Sequence, residues 1–351
     1  MNTRFLFLFL LLFHPSCGDD NPTASEDTPT VTVMTWNVYI GGDVQTAFAN
    51  LDNPLQLPAE VSAFWATVTA SDFPARAVSI AAIIARERPH LIGLQEVSRF
   101  LIQSPGDFLA GNPIAAQDVA LDFLDELLNA LAAQGQSYVV AASVENADIE
   151  FISNTADDIR QIDREVILAR SDVTLVDSRT GHYSQRVAIP VLGQITIEIP
   201  RGWVLVDVEI EGSALRFIST HLEVSAYHDI QINQAEELAG GLPPSDLPTI
   251  LVGDINSRPI RSVPTTYSTI LDAGYTDTWM AVSDDPGPTC CQADDLLNET
   301  STLAGRIDMV FHRGEFIPLS ASIVGNLPED RTPTGLWPSD HAGMVATLTL
   351  P

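Results

Sequence analysis

Six places in this chain put a carboxylate, a carboxamide or an imidazole at the border of an apolar run. They are Asn37, Glu96, His221, Asp254 with Asn256, Asp308, and Asp340 with His341. The clearest is Thr249-Ile250-Leu251-Val252-Gly253-Asp254-Ile255-Asn256. Four apolar or β-branched residues entering Gly-Asp read as a buried strand that stops at a turn, and Pro259 keeps the strand from resuming. Asp254 and Asn256, two apart, point the same way in an extended chain. Burying such groups bare costs several kcal/mol, so they need partners. One such ending alone fits an Asx turn closing a strand equally well; its recurrence argues for a shared site.

If these borders converge, at least four carboxylates occupy one pocket. Two like charges about 4 Å apart repel by about 4 kcal/mol at an effective dielectric near 20. The cluster must therefore take up protons or a cation. The donors are Asp, Glu and Asn oxygens without cysteine, which favours Mg²⁺ or Mn²⁺, with Ca²⁺ behind, over Zn²⁺. His221 and His341 are then free for proton transfer and for stabilising charge on oxygen. Arg201, ahead of Trp203 on an apolar strand, fits a snorkelling side chain or a phosphate contact equally. Trp337, four residues before His341, fits a substrate wall or a packed rim. Arg99, Arg160, Arg164 and Arg258 read first as surface ion-pair partners.

The elements that must position these groups follow from periodicity. Strands are expected at 31–38, 91–97, 138–144, 164–170, 191–199 and 307–312, with a final one at 342–350. Val204, Val206, Val208 and Ile210 alternate with Leu205, Asp207 and Glu209, and Glu211-Gly212 turns that strand back into Leu215–Thr220. Helices are expected from Asp72 and Pro74 up to Pro89, and at about 117–134, 227–240 and 265–273. Residues 41–74, with Pro54, Pro58 and Pro74, read as a long irregular rim loop. Thr289–Ala304 reads as a loop on the substrate side. Hairpins mixed with helical crossovers, without repeats, predict one α/β (α+β) domain over 31–351. Its architecture is a four-layer sandwich, two mixed β-sheets face to face with helices on the outer faces.

Composition narrows the function. All 17 basic residues are arginine; 46 acidic ones bring the formal charge to -29. A chain without lysine and this acidic does not hold nucleic acid through a basic stripe, so no stable nucleic-acid complex is expected. A phosphate-ester substrate met by metal and a few arginines remains open, either nucleic acid or a phospholipid or small phosphodiester. Arg4 precedes Phe5–Phe13, nine residues of Phe and Leu, too short for a mature span. Residues 1–16 resemble a bacterial lipoprotein signal, with Cys17 the lipidated residue, a membrane anchor, and 17–30 a disordered tether; His14 departs from the pattern. An ordinary secretory signal is the alternative. Either way the protein is expected outside the cytoplasm, at the bacterial cell envelope or secreted, as a monomer. Cys290 and Cys291 are adjacent, and neighbouring Cα atoms about 3.8 Å apart make a vicinal bridge strained. In an exported protein such a bridge is still the first reading, ahead of a soft-metal site.

Taken in order, the blocks Thr35-Trp36-Asn37, Leu94-Gln95-Glu96-Val97, Ser219-Thr220-His221-Leu222, Gly253-Asp254-Ile255-Asn256, Arg306-Ile307-Asp308 and Ser339-Asp340-His341 resemble the endonuclease/exonuclease/phosphatase superfamily, the deoxyribonuclease I-like fold. The resemblance spans about 31–350. It implies a divalent-metal-dependent phosphoester or phosphodiester hydrolase in which water attacks phosphorus. Glu96 would be the principal metal ligand, assisted by Asn37 and Asp340. His341, held in its tautomer by Asp308, would move the proton of the attacking water. Asp254 would orient the nucleophile or protonate the leaving oxygen, while Asn256 and His221 would hold the phosphoryl oxygens. The competing class is a surface binding module that kept the fold and lost the chemistry.

Overall fold

The computed structural model describes residues 28–43, 53, 55–110, 114–191, 195–261 and 265–351. The signal segment, Cys17 and the tether up to residue 27 lie outside the described residues. In chain order come β1 (Thr30–Asn37), α1 (Leu57–Ala70), α2 (Phe73–Glu87), β2 (Leu91–Gln95), β3 (Arg99–Gln103), β4 (Asp118–Asp122), α3 (Phe123–Ala133), β5 (Tyr138–Ile152) and β6 (Asp158–Arg170). They are followed by β7 (Thr174–His182), β8 (Val187–Val191), β9 (Ile195–Ile199), β10 (Gly202–Ile210), β11 (Ser213–His221), α4 (His228–Gly241) and β12 (Thr249–Asp254). The chain ends with α5 (Thr266–Asp272), β13 (Thr276–Asp277), α6 (Thr278–Val282), β14 (Asp308–Arg313), β15 (Pro318–Val324) and β16 (Gly343–Thr349).

The strands form two large mixed sheets. The first runs β15-β16-β1-β2-β6-β3-β4, with β5 also on β6; the second runs β13-β14-β12-β11-β10-β7. Strand alternation sorts the side chains into layers. Val31 and Val33 of β1, Leu91 of β2 and Ile167 of β6 meet Val206, Phe217, Ile250, Val252 and Val310 of the other sheet in one apolar layer. The opposite faces carry helices. Met34, Trp36, Ile92 and Leu94 pack on Phe73, Ile80 and Ile84 of α2 and on Phe123 and Leu127 of α3. Ile218, Leu251, Met309 and Phe311 pack on Leu238 of α4 and Ile270 of α5. The result is the expected four-layer sandwich.

Some boundaries differ from the periodicity. Residues 41–74 are not all loop, because α1 fills Leu57–Ala70. Its buried Leu57, Val61, Phe64 and Val68 recur every three or four residues, and its proline stands in the first turn, where a missing N–H costs nothing. The helix expected from 117 starts only at Phe123: Asp122 caps it, its carboxylate accepting from the backbone of Leu124 and Asp125, and the preceding residues form β4. The strand expected at 191–199 is instead the β8–β9 hairpin. The strand expected at 138–144 runs on to 152, paired along its length with β6.

Candidate active site

The same alternation that builds the inter-sheet core also delivers the polar groups. Asn37 shares parity with Val31 and Val33, His221 with Leu215 and Phe217, and Asp254 with Ile250 and Val252. Asp308 shares it with Val310, and Glu165 with Ile167. Asn37, His221, Asp254 and Asp308 each end their strand's inward row at one edge of the sandwich, while Glu165 lies within β6. Register puts these ends side by side. β1 runs parallel to β2, with Asn37 opposite Gln95, and β11 parallel to β12, with His221 opposite Asp254. The antiparallel β14 then places its first residue, Asp308, opposite Asp254. Beneath them Gln95 bridges the sheets, donating to Ser219 (3.0 Å) and accepting from Thr35 (3.3 Å).

Asp254 is the hub. Its Oδ2 accepts from Asn37 Nδ2 (3.2 Å) and lies 3.4 Å from His221 Nε2 and 4.0 Å from His341 Nδ1. Its Oδ1 accepts from the backbone N–H of Asn256 (2.9 Å). Burial, and next the charge of Asp308, push the Asp254 carboxyl up to about 7. His341 Nδ1 lies 2.8 Å from Asp308 Oδ2. Burial works against a charge on His341, but Asp308 and Asp340 outweigh it and hold the imidazole well above its ordinary range. Nδ1 is committed to Asp308, which leaves Nε2 as the ring nitrogen outside that contact.

Glu96 stands across the cleft. Its Oε1 accepts from the same Asn37 amide (2.9 Å) and its Oε2 from the backbone N–H of Ile40 (2.8 Å). Asn37 thus ties Glu96 to Asp254, while its own Oδ1 accepts from Tyr39 N (3.0 Å). Glu96 (φ 59°) and Asn256 (φ 52°) both have left-handed backbone, a strained state for non-glycine residues that concentrates where side chains must be aimed. Asp340 is half-buried. Burial pushes its carboxyl up to about 7, with Glu96 adding to the rise.

The two histidines are set oppositely. Arg201 Nη1 lies 3.1 Å from His221 Nδ1, and its guanidinium also pairs with Glu223. Burial first and Arg201 second drive His221 well below its ordinary range, so it is neutral. Asn256 donates to Leu222 O (3.0 Å), with the same nitrogen 3.1 Å from His221 Nε2.

All the groups read from the strand borders therefore meet here, with Arg201 among them. Trp337 does not line the cleft. It is fully buried in the helix-side core and donates to Asn298 O (2.9 Å). Arg99, Arg160 and Arg164 pair with Glu145, Asp148 and Asp122. Arg258 is exposed and has no side-chain partner among the described residues.

Other contributors carry no border signal. Glu165 and Asp163 lie inside β6, where Asn146 Nδ2 donates to both (2.9 and 3.4 Å). Glu165 Oε1 lies 4.0 Å from His221 Nδ1. Burial, then Asp163, raises the Glu165 carboxyl well above the carboxylate range. Arg76, fully buried on α2, donates to Val38 O (2.7 Å), Pro338 O (3.0 Å) and Tyr39 O (3.0 Å), locking the end of β1 to the segment that carries Asp340 and His341. Cys290 and Cys291 form a vicinal disulfide on the same rim.

The residues suit a divalent cation. Glu96, Asp254, Asp308 and Asp340 gather in one cluster, and Oδ1 of Asp308 is buried without a hydrogen-bond partner among the described residues. Asp254, Asp308 and His341 present ligand atoms all within 4.8 Å of one another. A hard cation here would supply neutralisation of negative charge on phosphoryl oxygens.

Residues 34–341 match the endonuclease/exonuclease/phosphatase family, and the chain belongs to it. That superfamily includes metal-dependent nucleases and phosphatases, and hydrolysis of phosphoester bonds is the typical activity of its members. The fold is similar to a family protein from Leptotrichia buccalis (TM-score 0.56, 17% identity, 91% of this chain and 99% of that one). It is similar to a mannosyl-6-phosphatase from Bacteroides thetaiotaomicron (0.54, 16%, 91% and 99%). It is also similar to D. rerio TDP2 complexed with single strand DNA product (0.53, 16%, 91% and 99%). No curated protein matches the chain in sequence.

Proposed function

We propose that this protein is an exported, divalent-metal-dependent phosphoester hydrolase in which water attacks phosphorus directly. The observation that carries the reading is the set around Asp254: two histidines of opposite character flank one carboxylate whose proton affinity lies near neutrality. Glu96 and Asp340, with Asn37 beside them, would hold Mg²⁺ or Mn²⁺; Asp254 and Asp308 border the same volume. With a cation offsetting the neighbouring carboxylates, the His341 imidazole would give up the proton they otherwise hold on it and, oriented through Nδ1 by Asp308, take that of the attacking water at Nε2. Neutral His221 and the Asn256 amide donate to the phosphoryl oxygens where charge builds. Asp254 orients the water or passes a proton to the leaving oxygen. No side chain here needs to act as a covalent nucleophile, since phosphoryl transfer rests on positioning and charge neutralisation.

The substrate favoured is a small phosphoester or a phospholipid headgroup. The strongly acidic chain lacks lysine, and Arg99, Arg160, Arg164 and Arg201 are each paired with a carboxylate, which leaves little to bind the backbone of a duplex. Export, with a lipid anchor on Cys17, rests on the N-terminal sequence. The test is a panel of sugar phosphates, inositol phosphates, sphingomyelin and plasmid DNA, each with Mg²⁺ and with EDTA. Release of phosphate or headgroup that EDTA abolishes is expected. A chain inert on all four with every divalent ion would be a binding module instead.

A further inference from the structure

The vicinal pair Cys290–Cys291 takes no part in the chemistry just described, yet it lies against the working nitrogen of His341. Cys291 Sγ is 3.9 Å from His341 Nε2, the ring nitrogen that Asp308 does not engage. The two sulfurs and an imidazole nitrogen come within 4.8 Å of one another. Neither cysteine is buried, so a small reductant and a cation can reach them.

The backbone keeps the pair in place. Cys290 N donates to Gly305 O (2.9 Å), and its carbonyl accepts from the N–H groups of Ala304 (2.7 Å) and Gly305 (3.1 Å). On the other flank Ala342 N donates to Thr289 O (2.8 Å) and Gln292 N to Asp340 O (2.7 Å). Thr289 Oγ1 accepts from the backbone of Ile307 and Asp308 (both 3.1 Å). Opening the S–S bond breaks none of these contacts, so both sulfurs stay beside the imidazole. The chain's third cysteine, Cys17, is in the N-terminal segment.

We infer that reduction of the bridge converts Cys290, Cys291 and His341 Nε2 into a site for a soft divalent cation such as Zn²⁺ or Cd²⁺, and that filling it silences the hydrolase. The donor set is chemically the opposite of its neighbour: two thiolates and an imidazole prefer borderline and soft ions, whereas the carboxylates prefer Mg²⁺. A phosphine reductant opens the bridge. Phosphorus gives two electrons to the sulfurs, water supplies the oxygen of the phosphine oxide, and two thiols form. The cation then displaces the two thiol protons together with the proton on His341 Nε2. With Nε2 ligated, His341 can no longer accept the proton of the attacking water. The inhibitory half rests on the hydrolase reading; the binding half does not.

The test uses the full chain reduced with a phosphine and titrated with Cd²⁺ at constant Mg²⁺. The expected binding result is a thiolate-to-cadmium charge-transfer band that saturates at one equivalent. It should be absent in the unreduced protein and in the Cys290→Ser/Cys291→Ser variant, and need more Cd²⁺ in His341→Ala. In parallel, hydrolysis by the reduced chain should fall by about a hundredfold or more, the share a general base contributes. The double-serine variant should keep its Mg²⁺-dependent rate through the titration. A saturating band with no hydrolysis in any sample would leave the cation site standing and defeat the hydrolase reading. No band, or equal inhibition of the wild type and the double-serine variant, would overturn the inference.

Discussion

Arg201 Nη1 stands 3.1 Å from His221 Nδ1. An arginine can only donate, so Nδ1 of His221 accepts and its ring proton sits on Nε2. That nitrogen faces Oδ2 of Asp254 at 3.4 Å. Glu223 holds the guanidinium in turn. One fixed cation thus sets the tautomer of a histidine that burial first, and the same cation second, keep neutral.

Arg201→Met should therefore lower kcat by about a hundredfold, the usual effect of a misplaced catalytic group. It also removes the second of the three pressures that depress His221, burial being the largest and the charge of His341 the third. The acid limb of the pH–rate profile should move to higher pH. Arg201→Lys should restore little, since an ammonium lacks the planar fork that reaches Glu223 and His221 together. An unchanged acid limb would show that His221 does not titrate in the rate.

Asp308 fixes the other histidine. Asp308→Asn should cost roughly 10³–10⁴-fold in kcat, as when a neutral amide imposes the wrong tautomer on a catalytic histidine. KM for a small phosphodiester should change little. A loss confined to KM would place Asp308 in substrate binding instead.

Glu165 makes the apoprotein sensitive to alkali. Its folded pKa is raised, first by burial and then by Asp163, so the native state keeps a proton that the unfolded chain releases above about pH 4.3. Native therefore binds more protons than unfolded. This contribution to stability is complete below about pH 4.3 and is lost as pH rises through the folded value. Asp163, also raised by burial, acts in the same direction. Melting curves in EDTA should show Glu165→Gln close to wild type at pH 5 and increasingly more stable towards pH 8. A constant difference across that range would mean Glu165 does not titrate.

Arg306 and Asp277 form a buried pair, with contacts of 2.7 and 3.1 Å. Asp277 also caps α6 by accepting from Trp279 N (3.0 Å), and accepts from Tyr267 OH (3.0 Å). Arg306→Met leaves that carboxylate without its counter-charge and should destabilise by about 3–5 kcal/mol in urea unfolding. Adding Asp277→Asn should recover part of the loss. Because Arg306 acts on Asp277 and through it on packing, residual activity should track the folded fraction.

The groups at strand ends were legible because a polar residue closing an apolar, alternating run is conspicuous, and their parity with the core residues fixes which way they point. Glu165 and Asp163 were not, since they lie within a strand and enter the cleft only through the register of β6 on β2. Arg76 reads as an ordinary helix arginine; what it does depends on Val38 and Pro338 meeting above α2. The helix at Leu57–Ala70 was masked by flanking prolines that mark its start rather than forbid it. The polar edge strand β7 shows little apolar alternation, its residues being mostly exposed.

The central claim is that side chains from distant strands act as one metal-assisted hydrolytic unit. Its most direct test is Mg²⁺-dependent turnover of bis-p-nitrophenyl phosphate by wild type, His341→Ala and Asp254→Ala, each checked for equal folded fraction. Wild type should turn over, and each variant should lose about two orders of magnitude or more. Variants that keep near-wild-type rates, or turnover that persists after complete metal removal, would contradict the account.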